Sequence, residues 1–139
     1  MTNSIPEIRD AEFLFVIGSN TTEAHPIIAM EMKRAVHRGA TLIVADPRKI
    51  PLTEFATDHL QLKPGTDVWL LNALAHTIIA ENLTAPAFIQ KHTTGYEELK
   101  AHLEPYTPEE AENVTGVCAK AIRKTARLYT TTKKAGIYY

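Results

Sequence analysis

Two short, wholly apolar runs separated by a single amphipathic stretch constrain this chain more than any other feature. Phe13-Leu14-Phe15-Val16-Ile17 leads into the polar turn Gly18-Ser19-Asn20-Thr21-Thr22-Glu23, and Thr41-Leu42-Ile43-Val44 leads into Ala45-Asp46-Pro47-Arg48. Apolar residues in unbroken succession mark strands covered on both faces, as parallel sheets require. Between the runs, Pro26 opens a segment whose Ile28, Met32, Ala35 and Val36 fall at helical spacing, and Gly39 stands where a left-handed cap is wanted. The separation suits a right-handed β-α-β crossover. Both polar turns then leave the carboxyl ends of neighbouring strands, where open parallel sheets bind their ligands. A nucleotide-like ligand is the first expectation.

The rest of the chain extends the same pattern. Asp58-His59-Leu60-Gln61-Leu62 alternates polar and apolar residues and predicts a short third strand. Pro64-Gly65 makes a turn, and Thr66 or Asp67 caps a helix carrying Val68, Leu71, Ala75, Ile78 and Ile79 on one stripe. Trp69, Leu70 and Leu74 lie outside that stripe, which predicts packing on two sides. Short helices are predicted over 86–91 and 95–103. Thr107-Pro108-Glu109-Glu110 is a strong helix start, with a capping threonine, proline at the first helical position and glutamate three residues after the cap. Ile122, Ala126 and Tyr129 line a final helix ending at Lys133-Lys134, and residues 135–139 return to the sheet as a buried strand. The expected fold is one α/β domain over residues 1–139, with a Rossmann-like, mainly parallel sheet flanked by helices in three layers.

Composition narrows the function. The 139 residues suit a single domain with its own core. Fifteen basic residues against sixteen acidic ones give a net charge of -1 with no basic block, which argues against a nucleic-acid partner. The longest apolar stretch, Val68 to Ala80, is interrupted by Asn72, His76 and Thr77 and is too short for membrane insertion. Met1-Thr2-Asn3-Ser4 lacks the regions of a signal peptide, so the cytoplasm is the expected compartment. The single cysteine, Cys118, cannot form an internal disulfide and is expected to be a small, half-buried residue at a helix start. The six histidines show no paired ligand spacing, with each other or with Cys118, so no metal site is expected. No triad, phosphate loop or carboxylate pair is present, and the expected role is binding. The ending Gly136-Ile137-Tyr138-Tyr139 reads as a strand without its turn, as in a piece of a larger protein.

The turns themselves carry the candidate chemistry. A dinucleotide fingerprint needs three glycines, and Gly18 stands alone. Ser19, Asn20, Thr21 and Thr22 offer hydroxyl and amide groups, and backbone N–H groups at the helix start can hold an anion. The same residues would also serve as a plain helix cap. Asp46 can accept hydrogen bonds from ribose hydroxyls or the donor edge of a base, or can bond its own backbone in a turn beside Pro47. Arg48 can fork to phosphate or stack on a base. Lys63-Pro64-Gly65-Thr66-Asp67 reaches the same edge if its strand is parallel. There a carboxylate could take the N1–H and N2–H of guanine, or could merely cap the helix.

Several segments resemble the molybdopterin oxidoreductases, in the family's order and spacing. They are Val16-Ile17-Gly18-Ser19-Asn20-Thr21-Thr22-Glu23-Ala24-His25-Pro26-Ile27, Val44-Ala45-Asp46-Pro47-Arg48-Lys49 and Lys63-Pro64-Gly65-Thr66-Asp67, with Leu71-Asn72-Ala73-Leu74 just beyond. Gly95-Tyr96-Glu97-Glu98, Tyr106-Thr107-Pro108-Glu109 and Val114-Thr115-Gly116-Val117 extend the likeness over nearly the whole chain. Within the family the resemblance is to the catalytic subunits of formate dehydrogenases, followed by periplasmic nitrate reductases.

The resemblance implies a domain that binds one molybdopterin guanine dinucleotide of a molybdenum or tungsten bis-pterin cofactor. Gly18, Ser19, Asn20 and Glu23 would form the first wall, Ala45, Asp46 and Arg48 the second, and Gly65, Thr66 and Asp67 the third. Backbone N–H groups and Asn20 would face the pyrophosphate, Arg48 phosphate or base, and the carboxylates ribose and guanine. Relatives often have Pro-Ala where this chain has Thr21-Thr22, which adds two hydroxyls to the first turn. The parent enzyme would oxidise formate to carbon dioxide and pass electrons to a 4Fe–4S cluster. The cluster's cysteines and the metal ligand lie upstream in the family, so this chain would bind no cluster and be inactive alone. Its partners would be the remaining domains of its own subunit and the electron-transfer subunits, with a periplasmic parent left open.

Two other readings share the fold. One is the same domain of a nitrate reductase or another enzyme of the family. The other is a non-catalytic relative, the large iron–sulfur subunit of NADH–quinone oxidoreductase. The joint presence of Asn20, Asp46, Arg48 and Asp67 argues against the latter.

Overall fold

Strand β1 (Phe13–Ile17) passes through the short helix α1 (Thr21–Ala24) and helix α2 (Pro26–His37) to β2 (Thr41–Ala45) in the computed structural model, which describes residues 4–139. Met1-Thr2-Asn3, the start of the segment that lacks a signal peptide's features, lies outside the described residues. After β3 (Asp58–Leu60) come α3 (Asp67–Ala80), α4 (Pro86–His92), α5 (Tyr96–Leu103), α6 (Pro108–Thr115) and α7 (Ala119–Thr131), and β4 (Ala135–Tyr138) closes the chain. The chain divides into two compact units. One comprises the residues up to Gln61 together with Thr131–Tyr139, the other Leu62–Thr130.

The first unit holds the sheet, whose order is β3-β2-β1-β4 with every pairing parallel. The fold is therefore α/β, with a mainly parallel sheet flanked by helices. Phe13 pairs with Thr41 and Ile17 with Ala45, so β1 and β2 end level with one another. Side chains alternate across a strand, and one face of the sheet carries Leu14, Val16, Leu42 and Val44. These pack with Met32 and Ala35 of α2 and with Ile8 and Leu52 from two 3-10 turns. Phe13, Phe15 and Ile43 alternate to the opposite face and are just as deeply buried. Full burial of each such side chain contributes roughly 1.5–3 kcal/mol over exposure.

Local signals explain how α2 ends. Gly39 takes φ +97°, its N–H reaches Val36 O, and Ala40 N–H reaches Ala35 O at 3.0 Å. This pair of bonds satisfies carbonyls that the last helical turn would leave open. Glu31 is buried on α2 and is matched by Arg34 at 2.6 Å and Arg9 at 2.9 Å, the latter an ion pair too poorly aligned for a hydrogen bond. Charge pairing is what makes a buried carboxylate tolerable.

The expected buried last strand is instead a half-exposed edge. Among the described residues β4 pairs only with β1, and Ile137 remains 45% exposed.

The second unit is helical, and here several expectations fail. Helix α3 buries Leu70, Ala73, Leu74 and Thr77, while Val68 and Leu71 of the expected stripe are exposed. The helix is apolar almost all the way round, so its sequence gives little contrast from which to choose a face. Thr107 caps α6 as expected, its side chain accepting the Glu110 N–H at 3.2 Å. Helix α7 stops at Thr131, two residues before Lys133. Cys118 is exposed rather than half-buried, and its carbonyl accepts the Ala121 and Ile122 N–H groups of α7. No described helix is long and apolar enough to cross a membrane.

Candidate functional site

The chain runs outward from β1 to β2 and β3, and β4 then adds on the other side of β1. The strand order thus reverses at β1, and in open α/β sheets ligands bind beyond the carboxyl ends of the strands at such a point. The first expected turn leaves β1 at that point, and the second leaves the adjacent β2.

The first turn begins where Gly18 breaks β1 with φ +62°, a conformation that side-chain-bearing residues rarely adopt. Its N–H donates to Ala45 O at 3.1 Å, which ties the first turn to the end of β2. No atom lies within 4 Å of where a Cβ would stand, so the space above Gly18 is open. Ser19 is half-buried and Glu23 exposed.

Asn20 precedes α1 but its side chain makes no capping bond. Its Oδ1 is buried without a hydrogen-bond partner, and so is the Thr22 hydroxyl. Thr21 departs from expectation: it is 3% exposed, and its hydroxyl points to Met32 Sδ at 3.9 Å.

At the second turn, Ala45 is fully buried and Asp46 is 2% exposed. Asp46 Oδ1 accepts the Arg48 backbone N–H at 2.8 Å and Arg48 Nε at 3.3 Å. The local turn beside Pro47 is therefore formed, and the arginine side chain remains 71% exposed. Two side chains that sequence reasoning missed also reach this turn. His59 Nε2 bonds Asp46 O at 2.8 Å, and Gln61 Nε2 donates to Pro47 O at 2.9 Å. The alternation of 58–62 puts His59 and Gln61 on one face, but only the pairing of β3 with β2 brings that face to the Asp46 turn.

β3 is parallel, the condition on which the third turn's placement depended, but the turn itself belongs to the second unit. There Gly65 takes φ +79° with open space where a Cβ would stand. Thr66 stands at the N-cap of α3 without capping it: its hydroxyl donates to Lys63 O at 2.7 Å. Asp67 is the first helical residue and is half-buried. Lys63 is anchored within that unit through its N–H to Thr115 O at 2.9 Å.

Residues 1–135 match the family model described as Molybdopterin oxidoreductase. The chain belongs to the molybdopterin oxidoreductase family. It is 48% identical over all 139 residues to the F420-dependent formate dehydrogenase 1 subunit alpha of Methanococcus maripaludis, covering 21% of that protein. Over the same residues it is 45% identical to formate dehydrogenase H of Escherichia coli, covering 19% of it. Nitrate reductases are similar as well. Among solved structures, acetylene hydratase from Pelobacter acetylenicus matches with a TM-score of 0.85 and 31% identity, over 97% of this chain and 20% of that one. The chain thus spans about a fifth of the length of these relatives.

Membership of this oxidoreductase family implies a molybdopterin cofactor. The first turn suits a ligand rich in phosphate and hydroxyl groups. Open space above Gly18 permits close backbone approach, and Asn20 and Thr22 carry polar atoms for which the described residues supply no partner.

Proposed function

We propose that residues 1–139 form one domain that binds molybdopterin guanine dinucleotide within the catalytic subunit of a formate dehydrogenase. The observation that carries this reading is the buried, unpartnered Asn20 Oδ1 at the point where the strand order reverses. An unsatisfied buried polar atom costs about 1–3 kcal/mol and calls for an explanation in a ligand or a water. With no protein partner to fix it, the amide can turn either its oxygen or its nitrogen toward a bound group.

In this reading the Gly18 and Ser19 backbone and the Asn20 side chain hold the pyrophosphate, with Glu23 at the rim. Ala45 and Asp46 face the ribose, and the exposed Arg48 guanidinium forks to a phosphate or lies on the base. Gly65, Thr66 and Asp67 are assigned the guanine on the family likeness alone. When bound, the group supplies the two-electron redox chemistry that takes formate to carbon dioxide. This chain's own part is to bind and orient, the usual contribution of protein to cofactor chemistry. The metal ligand and the 4Fe–4S cluster fall to other parts of the subunit, and the chain alone is inactive.

The test is made on the full-length polypeptide that contains this chain. Acid hydrolysis should release GMP, and formate should reduce a viologen dye. A protein that releases no guanine nucleotide overturns the reading. Oxidation of reduced viologen by nitrate, with no formate turnover, would instead support the nitrate reductase reading, since nitrate reductases are also among the similar proteins.

A further inference from the structure

The end of β3 has a task that pairing alone does not explain. The β2–β3 ladder finishes at the pair Ala45–Leu60. Beyond it Pro47 has no N–H to offer, so a backbone ladder cannot continue along the second turn. Two β3-side side chains take over. His59 Nε2 bonds the carbonyl of Asp46 at 2.8 Å, and two residues on, Gln61 Nε2 donates to the carbonyl of Pro47 at 2.9 Å.

Both contacts have fixed polarity. A carbonyl only accepts, so the His59 proton sits on Nε2 and the Gln61 amide presents its nitrogen. On its other side the same turn is closed by Asp46 Oδ1 on the Arg48 N–H. The carbonyls of Asp46 and Pro47 are therefore held by His59 of β3 and by Gln61 just beyond its end.

We propose that His59 and Gln61 are positioning residues for the cofactor site, holding the Asp46–Arg48 turn in its binding geometry before any ligand arrives. The inference rests on the cofactor-binding reading above. It adds two residues to that site that need not touch the ligand themselves. A turn fixed in advance does not have to be ordered at the moment of binding, which is how such supporting bonds raise affinity. Gln61 is exposed and His59 half-buried, so neither is needed to fill the core.

The test pairs two measurements on the full-length polypeptide, made on wild type, on the double variant His59→Phe, Gln61→Met, and on His59→Gln. Glutamine keeps a donor near the Nε2 position, whereas phenylalanine and methionine keep bulk and lose the donor. In the double variant, hydrogen exchange of the Arg48 amide should accelerate about tenfold, the weight of one to two hydrogen bonds. Exchange at Phe15 and Ile43 in the sheet should stay unchanged. GMP released per polypeptide after dialysis should fall several-fold in the double variant and stay near wild type in His59→Gln. Unchanged Arg48 exchange, or GMP retention equal to wild type in the double variant, overturns the inference. A wild type that never holds guanine nucleotide overturns the cofactor reading instead. In that case the exchange measurement alone decides whether β3 holds the turn.

Discussion

Asp46 turns its carboxylate back onto Arg48, accepting the backbone N–H at 2.8 Å and the guanidinium Nε at 3.3 Å through the same oxygen, Oδ1. Two readings that compete in the sequence, a turn former and a ligand-binding acid, thus meet in one side chain. The turn uses one oxygen, and the Asp-Pro-Arg sequence supplies the geometry. What the fold adds is depth, since Asp46 is 2% exposed and Arg48 is not buried.

Asparagine at position 46 keeps an acceptor for the Arg48 N–H, and alanine does not. Asp46→Ala should therefore cost about 1–2 kcal/mol of stability, and Asp46→Asn clearly less. Thermal midpoints of the two variants check this. Under the proposed function both should lose guanine nucleotide, because the carboxylate charge is gone in each. An Asp46→Asn protein that melts as early as Asp46→Ala would show that charge, not the turn bond, stabilises this position.

Tyr138 lies back over Gly136 in β4. A Cβ at 136 would stand 2.8 Å from the tyrosine hydroxyl and 2.9 Å from its Cε2. Gly136→Ala should force the ring off the core residues it packs against, at about 1–3 kcal/mol, the usual cost of overpacking. Because the two residues touch, the cost should not add. In a Tyr138→Ala background the same substitution should be nearly neutral in denaturant unfolding.

Burial pushes the Tyr138 phenol above its ordinary value of about 10. The neutral form is the one the fold favours, so this contribution to stability is fully present below about pH 10 and is lost as pH rises through the folded value. Wild type should lose stability more steeply than Tyr138→Phe as pH rises above about 10, as read from denaturant midpoints. Parallel curves for the two proteins would refute it.

How much of this was legible depends on where the information lies. Strands β1 and β2, the glycine cap after α2 and the Thr107 cap are local signals, and each forms where the residues predict it. The buried face of α3 is not local. With Val68, Leu70, Leu71, Leu74, Ile78 and Ile79 spread around the helix, only the neighbours that pack against it select Leu70, Ala73 and Leu74. Thr21 and Thr22 look equivalent in sequence, yet one hydroxyl turns to Met32 and the other has no partner. The clamp from His59 and Gln61 needed the register of β3 against β2, which no reading of 58–62 alone supplies.

The unpartnered atoms of the first turn predict a trade of stability against binding. Asn20 Oδ1 and the Thr22 hydroxyl are buried with no hydrogen bond, so in the ligand-free protein each is a cost that a similar-sized apolar group would remove. Thr22→Val and Asn20→Leu should each leave the cofactor-free protein as stable as wild type or more stable, by up to about 1–2 kcal/mol. If the cofactor is what these atoms await, Asn20→Leu should abolish GMP retention in the full-length protein while its melting temperature holds or rises. Thr22→Val, which removes a single hydroxyl, should weaken retention without abolishing it. A lower melting temperature in both variants would mean that these atoms are satisfied within the protein after all.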